Sequence, residues 1–493
     1  MTAKPYLAFD LGAESARAIV GTLEGGRIQF EELHRFPTRN VQVQGRLYWD
    51  ILYIFSEIQE GIAEFVRQHG PDCAGIGVDT WGVDFGILGP SGELLQNPVA
   101  YRDHRTDGIV ERAFKEVIPA AELYNRTGIQ FMQINSVFQL WALSETAPEV
   151  LREAHTFLTV PDLLHYFLSG VAKCEYTNAS TSAMLDVHAR DWDKELIEKF
   201  GVPTAMLPEI VPPGTVLGPV DAEIARVTGL DPGTPVITPC THDTGSAVVA
   251  VPAGGGSWGY LSCGTWSLLG AELPEPNTSE LAHAHNFTNE GGYGRTIRFL
   301  KNIMGLWVLQ ECRRAWERRG ERYSYSELTE WAGQAKPFQV MLNIDEPGFL
   351  NPDDMLEAIA AQCARTGQTM PAEPGAVTRA VLEGLAIRYA VVADQLEESI
   401  GRDLEVLHIV GGGTQNELLC QLTADATGIP AVCGPVEATA LGNLAVQMIA
   451  KGDIADLPAA RRIIADSSEM VRYEPRDTEA WQEAHLRFSG LFS

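Results

Sequence analysis

Tyr6-Leu7-Ala8-Phe9-Asp10-Leu11-Gly12-Ala13-Glu14-Ser15-Ala16-Arg17-Ala18-Ile19-Val20-Gly21-Thr22 is the stretch that decides the fold. An apolar run ends at Asp10, a glycine-bearing polar turn follows, and a second apolar run resumes at Ala18. That is the pattern of two strands joined by a turn. A third run begins at Ile28 after Glu24-Gly25-Gly26-Arg27, so a β-meander is expected. The same shape returns later in the chain. Trp258-Gly259-Tyr260-Leu261 reads as a strand, Ser262-Cys263-Gly264-Thr265-Trp266-Ser267 as a polar turn, and Leu268-Leu269-Gly270-Ala271 as the returning strand. Both turns contain Gly-x-x-Ser. Two equivalent strand–turn–strand units are what a duplicated nucleotide-binding fold would show.

Working outward, Asp50 to Gln68 carries Leu52, Phe55, Ile58, Ile62, Phe65 and Val66 at helical spacing. Ala74 to Val78 is a short buried strand that ends at Asp79. Alternating strands and helices imply α/β layers. A long helix is expected over Gly375 to Ile400, with Val381, Leu385, Tyr389, Val392 and Leu396 on one stripe. It leads into the strand Val406 to Val410, the turn Gly411-Gly412-Gly413-Thr414-Gln415-Asn416, and a further helix from Leu418. Such a turn lets backbone approach a nucleotide closely. Its spacing is neither that of a dinucleotide fingerprint nor that of a Walker A loop. At 493 residues the chain exceeds one core, and three consecutive glycines at 254–256 interrupt any regular element. The expected division is a domain over 1–251, a second over 257–450 and a helical tail over 451–493.

Composition excludes some functions. The net charge is −28, which argues against a nucleic-acid or anionic-membrane surface. The eight cysteines contain no C-x-x-C pair, so they read as reduced thiols of a cytoplasmic protein. Met1-Thr2-Ala3-Lys4-Pro5 lacks the design of a signal peptide, and no apolar run is long enough to span a membrane.

Four polar turns close apolar strands, after Phe9, Val78, Pro239 and Leu261, and strand ends are where open α/β sheets bind ligands. In the first, Asp10 suits Mg²⁺ held through water and Arg17 suits phosphate charge; the alternative is a plain hairpin. In Asp79-Thr80-Trp81-Gly82-Val83-Asp84-Phe85, carboxylates, a hydroxyl and an indole face suit a polyol, or else Trp81 anchors a core. In Thr241-His242-Asp243-Thr244, Asp243 can accept a hydroxyl proton and His242 can donate to a substrate oxygen. Equally, Asp243 is a fair helix cap. Gly264-Thr265-Trp266-Ser267 suits nucleotide phosphates.

Together with Ala100-Tyr101-Arg102-Asp103, Gly128-Ile129-Gln130-Phe131, Tyr176-Thr177-Asn178-Ala179, Leu300-Lys301-Asn302-Ile303-Met304-Gly305-Leu306-Trp307 and His408-Ile409-Val410-Gly411-Gly412-Gly413, these stretches resemble the FGGY family of carbohydrate kinases, from Tyr6 to about Met448. The resemblance implies a two-domain actin-like, ribonuclease-H-like α/β fold with a catalytic cleft between the domains. It is strongest to the branch acting on L-rhamnulose. That implies ATP and L-rhamnulose giving ADP and L-rhamnulose 1-phosphate, with Mg²⁺. The near alternatives are fuculose, xylulose, ribulose or glycerol as acceptor. An alternative of another class is a non-catalytic ATP-switched protein on the same fold. By the same resemblance, Ala13, Glu14, Ser15, Ala16, Arg17, Thr265, Gln310 and Gly412 line ATP, with Asp10 at the metal. Gly82, His242, Asp243, Thr244 and Asn302 contact the sugar, and Asp243 is the proton acceptor. The chain departs from the family pattern in its first loop, where Glu14 brings a negative charge toward the phosphates. Partners are confined to the ketose and ATP, with monomer and homodimer both open.

Overall fold

A computed structural model describes residues 4–492; Met1–Ala3 and Ser493 lie outside the described residues, and with them most of the N-terminal stretch read above. The chain forms two compact units. The first comprises the residues up to Pro252, Glu272–Phe299 and Ala438–Ser467; the second comprises Ala253–Ala271, Leu300–Glu437 and the residues from Ser468. Neither unit is one continuous stretch of chain.

In the first unit a six-stranded sheet has the order Val216–Pro219, Pro235–Ile237, Ile76–Thr80, Tyr6–Leu11, Ser15–Glu24, Arg27–Pro37. Tyr6–Leu11 is antiparallel to Ser15–Glu24 and parallel to Ile76–Thr80. All six residues of Tyr6–Leu11 are buried, as suits a central strand covered on both faces. The helix Ile51–His69 is capped by Asp50, whose carboxylate accepts the Tyr53 N–H. It buries Ile51, Ile54, Ile58, Ile62 and Phe65. Leu52, expected on that stripe, is 61% exposed, because it sits one residue off the three-and-four spacing that faces the sheet. The short helix Asp243–Val249 packs on Ala438–Lys451. The approach is so close that a Cβ on Gly442 would lie 1.8 Å from the Ser246 carbonyl oxygen.

In the second unit Trp258–Cys263 is antiparallel to Trp266–Leu273 and parallel to Val406–Val410, which is parallel in turn to Ala431–Cys433. The 27-residue helix Pro374–Ile400 buries the expected stripe of Val381, Leu385, Tyr389, Val392 and Leu396 completely. The expected helical tail also contains a strand. Val471–Tyr473 adds an antiparallel strand to Ala431–Cys433, and Trp481, Ala484 and Phe488 of the last helix are buried. A three-residue strand is too short to show a periodicity in sequence. All eight cysteines are buried and unpaired. Among the described residues no helix is long and apolar enough to cross a membrane.

Candidate active site

In the first unit the polar groups collect where the parallel strands end. Register places Asp10 opposite Asp79 on one side and opposite Arg17 on the other. Arg17 Nη2 donates to Asp10 Oδ2 at 2.5 Å. Asp79 is fully buried and accepts from Asn443 Nδ2 at 2.6 Å, while its Oδ1 is buried without a hydrogen-bond partner. Burial, reinforced by the neighbouring Asp10, holds the Asp79 carboxyl well above the usual carboxylate range.

His242 occupies the cap position and Asp243 opens the helix Asp243–Val249. The helix-cap reading of Asp243 is therefore corrected by one residue, since the cap falls on His242 and Asp243 is the first residue of the helix. Its Oδ1 accepts the Thr244 N–H at 2.5 Å and the Thr244 hydroxyl at 3.1 Å. The side chain keeps 31% of its surface open. Burial pushes the Asp243 carboxyl up, against the opposing pull of His242. A carboxylate with one oxygen engaged, an exposed edge and a raised pKa can take a proton from a hydroxyl.

The turn before Asp243 is held on all sides. Thr80 N–H donates to the Thr241 carbonyl at 2.9 Å. Glu175, fully buried, accepts from Thr241 N–H at 2.9 Å and from the Thr241 hydroxyl at 2.8 Å. Asn178 Nδ2 donates to the Trp81 carbonyl at 3.2 Å. These bonds bring Gly82 against His242, so that a Cβ at position 82 would lie 3.3 Å from His242 Nε2. The next residue, Val83, is held at φ 67°, which a β-branched side chain adopts only under strain of about 1–3 kcal/mol. Its N–H is held by Thr181 Oγ1 at 3.1 Å and its carbonyl by Ser136 Oγ at 2.5 Å.

The polyol reading of the 79–85 segment needs correcting for two residues. Asp84 is fully buried and accepts from Trp49 Nε1, Trp81 Nε1, Gln139 Nε2 and Tyr101 N–H. Trp81 is 6% exposed, its ring 4.1 Å from that of Trp49. Both serve the core. Of the first loop, Ala16 is wholly buried in the sheet, whereas Ala13, Glu14 and Ser15 are partly open. Thr38 fixes that loop, its N–H donating to the Glu14 carbonyl and its hydroxyl to the Gly12 carbonyl.

The second unit holds Thr265, Asn302, Gln310 and Gly412. The Thr265 carbonyl accepts Trp307 N–H at 3.1 Å, tying its loop to the start of Trp307–Arg318. Gly305 makes that approach possible, since a Cβ there would lie 2.6 Å from the Trp266 backbone. Gln310 stands in the first turn of the helix with its Oε1 buried and without a partner. Gly412 is exposed, with open space where a side chain would be. Its neighbour Gly411, at φ 90°, lets this loop pass close to Cys263, since a Cβ there would lie 3.1 Å from the Cys263 carbonyl oxygen. Asn302 is half-buried on Ile297–Met304. Beside it Lys301 is 9% exposed, and burial lowers its ammonium to about 8.

Sequence reasoning missed Glu175, Asn443, Arg298 and Glu290. The one available signal was a charge inside an apolar strand, at Ile297-Arg298-Phe299-Leu300.

The model of the FGGY family of carbohydrate kinases, N-terminal domain, matches residues 5–250, and its C-terminal counterpart matches 259–451. A rhamnulokinase of Bacteroides thetaiotaomicron is 43% identical over 483 residues, 98% of each chain. Another, of Halalkalibacterium halodurans, is 41% identical over 96% of this chain and 99% of that one. A ligand-bound xylulose kinase from Lactobacillus acidophilus superposes with TM-score 0.82 at 18% identity, covering 99% of this chain and 97% of that one. Glycerol kinase of Plasmodium falciparum with ADP gives 0.78 at 17%, covering 99% and 98%. Those two likenesses are of fold, the two-domain actin-like, ribonuclease-H-like α/β fold. With both domain models matched in order and two relatives above 40% identity along nearly the whole sequence, the chain belongs to the FGGY family of carbohydrate kinases.

Proposed function

We propose that this kinase transfers the γ-phosphoryl group of ATP to L-rhamnulose, giving L-rhamnulose 1-phosphate, with Asp243 as general base. The observation that carries the substrate is the similarity to two rhamnulokinases over nearly the full chain. Asp243 accepts the proton of the attacking hydroxyl on its Oδ2, since Oδ1 is engaged by Thr244. Gly82, His242 and Asn302 contact the sugar, and Thr244 orients the base. Ala13, Glu14, Ser15, Arg17, Thr265, Gln310 and Gly412 serve the nucleotide. At Ala16 only backbone is available.

Mg²⁺ fits these residues. Asp79 Oδ1 is a buried carboxylate oxygen without a hydrogen-bond partner, in register with Asp10. No cluster of three or more metal-ligating side chains occurs among the described residues. Mg²⁺ needs only one or two carboxylates when phosphates and water supply the rest. Asp10 and Asp79 would hold it, and when bound it would neutralise charge on the transferring phosphoryl group.

Coupled ADP release across a panel of ketoses tests the reading. L-rhamnulose is expected to give the highest kcat/KM. Slow hydrolysis indifferent to sugar would overturn it.

A further inference from the structure

The buried charge behind His242 has no role in the reaction as described so far. Arg298 is wholly buried in the first unit. Its Nε donates to the Gly291 carbonyl at 2.7 Å and its Nη2 to the Thr177 carbonyl at 3.3 Å. The same Nη2 lies 3.1 Å from His242 Nδ1 in hydrogen-bonding geometry. A guanidinium nitrogen has protons to give and no lone pair to offer. Nδ1 must therefore be the acceptor, which leaves the ring proton on Nε2. That Nε2 lies 3.4 Å from Asp243 Oδ1 and beside the bare Cα of Gly82.

The rival arrangement has an identifiable partner. Glu290 Oε2 lies 3.3 Å from His242 Nδ1, so a ring protonated on Nδ1 would have a carboxylate to meet. The same oxygen lies 3.1 Å from Arg298 Nη1, so its charge is already matched. An Nδ1 proton would also point at the Nη2 proton, donor against donor.

We infer that Arg298 is a positioning residue, which fixes His242 as the neutral Nε2–H tautomer and so aims a donor at Asp243 and at the space beside Gly82. The tautomer itself is independent of the substrate. Its bearing on turnover rests on the proposed ketose kinase reading.

Nitrogen NMR of the full chain with ¹⁵N-labelled histidine tests this, with His242→Gln assigning the signals. The wild-type protein is expected to show Nδ1 bare and Nε2 protonated at pH 7.5. Nδ1 protonated with Nε2 bare, or both protonated, would overturn the inference without touching the kinase reading. Arg298→Met should mix the tautomers and lower kcat for the ketose by about tenfold to a hundredfold, the loss seen when an outer-shell partner of a metal-ligating histidine is removed. KM for ATP should stay within about twofold. Glu290→Gln keeps every Arg298 donor and should leave the wild-type spectrum unchanged. An Arg298→Met protein that loses turnover with its tautomer intact would sink the proposal. Should that variant fail to fold, the wild-type spectrum still decides.

Discussion

The two units carry the same hairpin with opposite chemistry at its end. In each, a strand is antiparallel to the one that follows and parallel to a distant third. In the first, Asp10 stands opposite Arg17 and Asp79. In the second, Ser262 stands opposite Leu268 and Val410. One scaffold has a charged cluster where the other has a hydroxyl and two aliphatic groups. Charge buried at a strand end costs stability unless it is paired. Its presence in one copy alone is what the proposed phosphoryl transfer would use. The neutral copy offers backbone and small side chains, at Thr265 and Gly412, which suit close approach of a nucleotide.

The contrast can be broken at several points. Asp10→Asn should lower kcat on the order of 10³-fold, as loss of one electrostatic stabiliser does, while Ser262→Ala should change it less than about threefold. Equal effects in a steady-state assay would erase the difference between the copies. The helix pair behind the charged turn should be intolerant of bulk. Gly442→Ala forces a Cβ into the Ser246 carbonyl and should cost about 3 kcal/mol by urea denaturation. Gly412→Ala, in open space, should cost little in the same experiment.

Burial lifts the Asp84 carboxyl to about 6. In the unfolded chain such a group titrates near 4. The native state thus holds the proton more tightly, and the stability that this group contributes falls as pH rises from about 4 through 6, then levels. Asp84→Asn cannot titrate, so the wild-type advantage over it should shrink by on the order of 2 kcal/mol across that window. Denaturation midpoints at several pH values measure it, and a constant gap would show that burial does not raise the Asp84 carboxyl. A modest effect is expected at the neutral turn. Thr265→Val should raise KM for ATP by roughly threefold to tenfold and leave KM for the ketose unchanged.

Much of this was legible in sequence because it is local. The strand Val406–Val410 and the helix Pro374–Ile400 follow from unbroken periodicity. What stayed hidden depends on contacts between distant residues. Trp81 and Asp84 look like ligands for a polyol until Trp49, Tyr101 and Gln139 are seen to use them. Glu175 supports the Thr241 turn from 66 positions away, and Asn443 reaches Asp79 across 364. No spacing rule links such pairs. The strain at Val83 was equally invisible, since a β-branched residue gives no sign of a left-handed backbone.

The proposed reaction turns on Asp243, which takes the proton from the sugar hydroxyl. Asp243→Asn keeps the shape of the side chain and an oxygen for Thr244, but removes the base. Steady-state ADP release with L-rhamnulose should fall by about 10²–10⁴-fold, with KM for ATP little changed. Turnover within a few-fold of wild type would contradict the assignment.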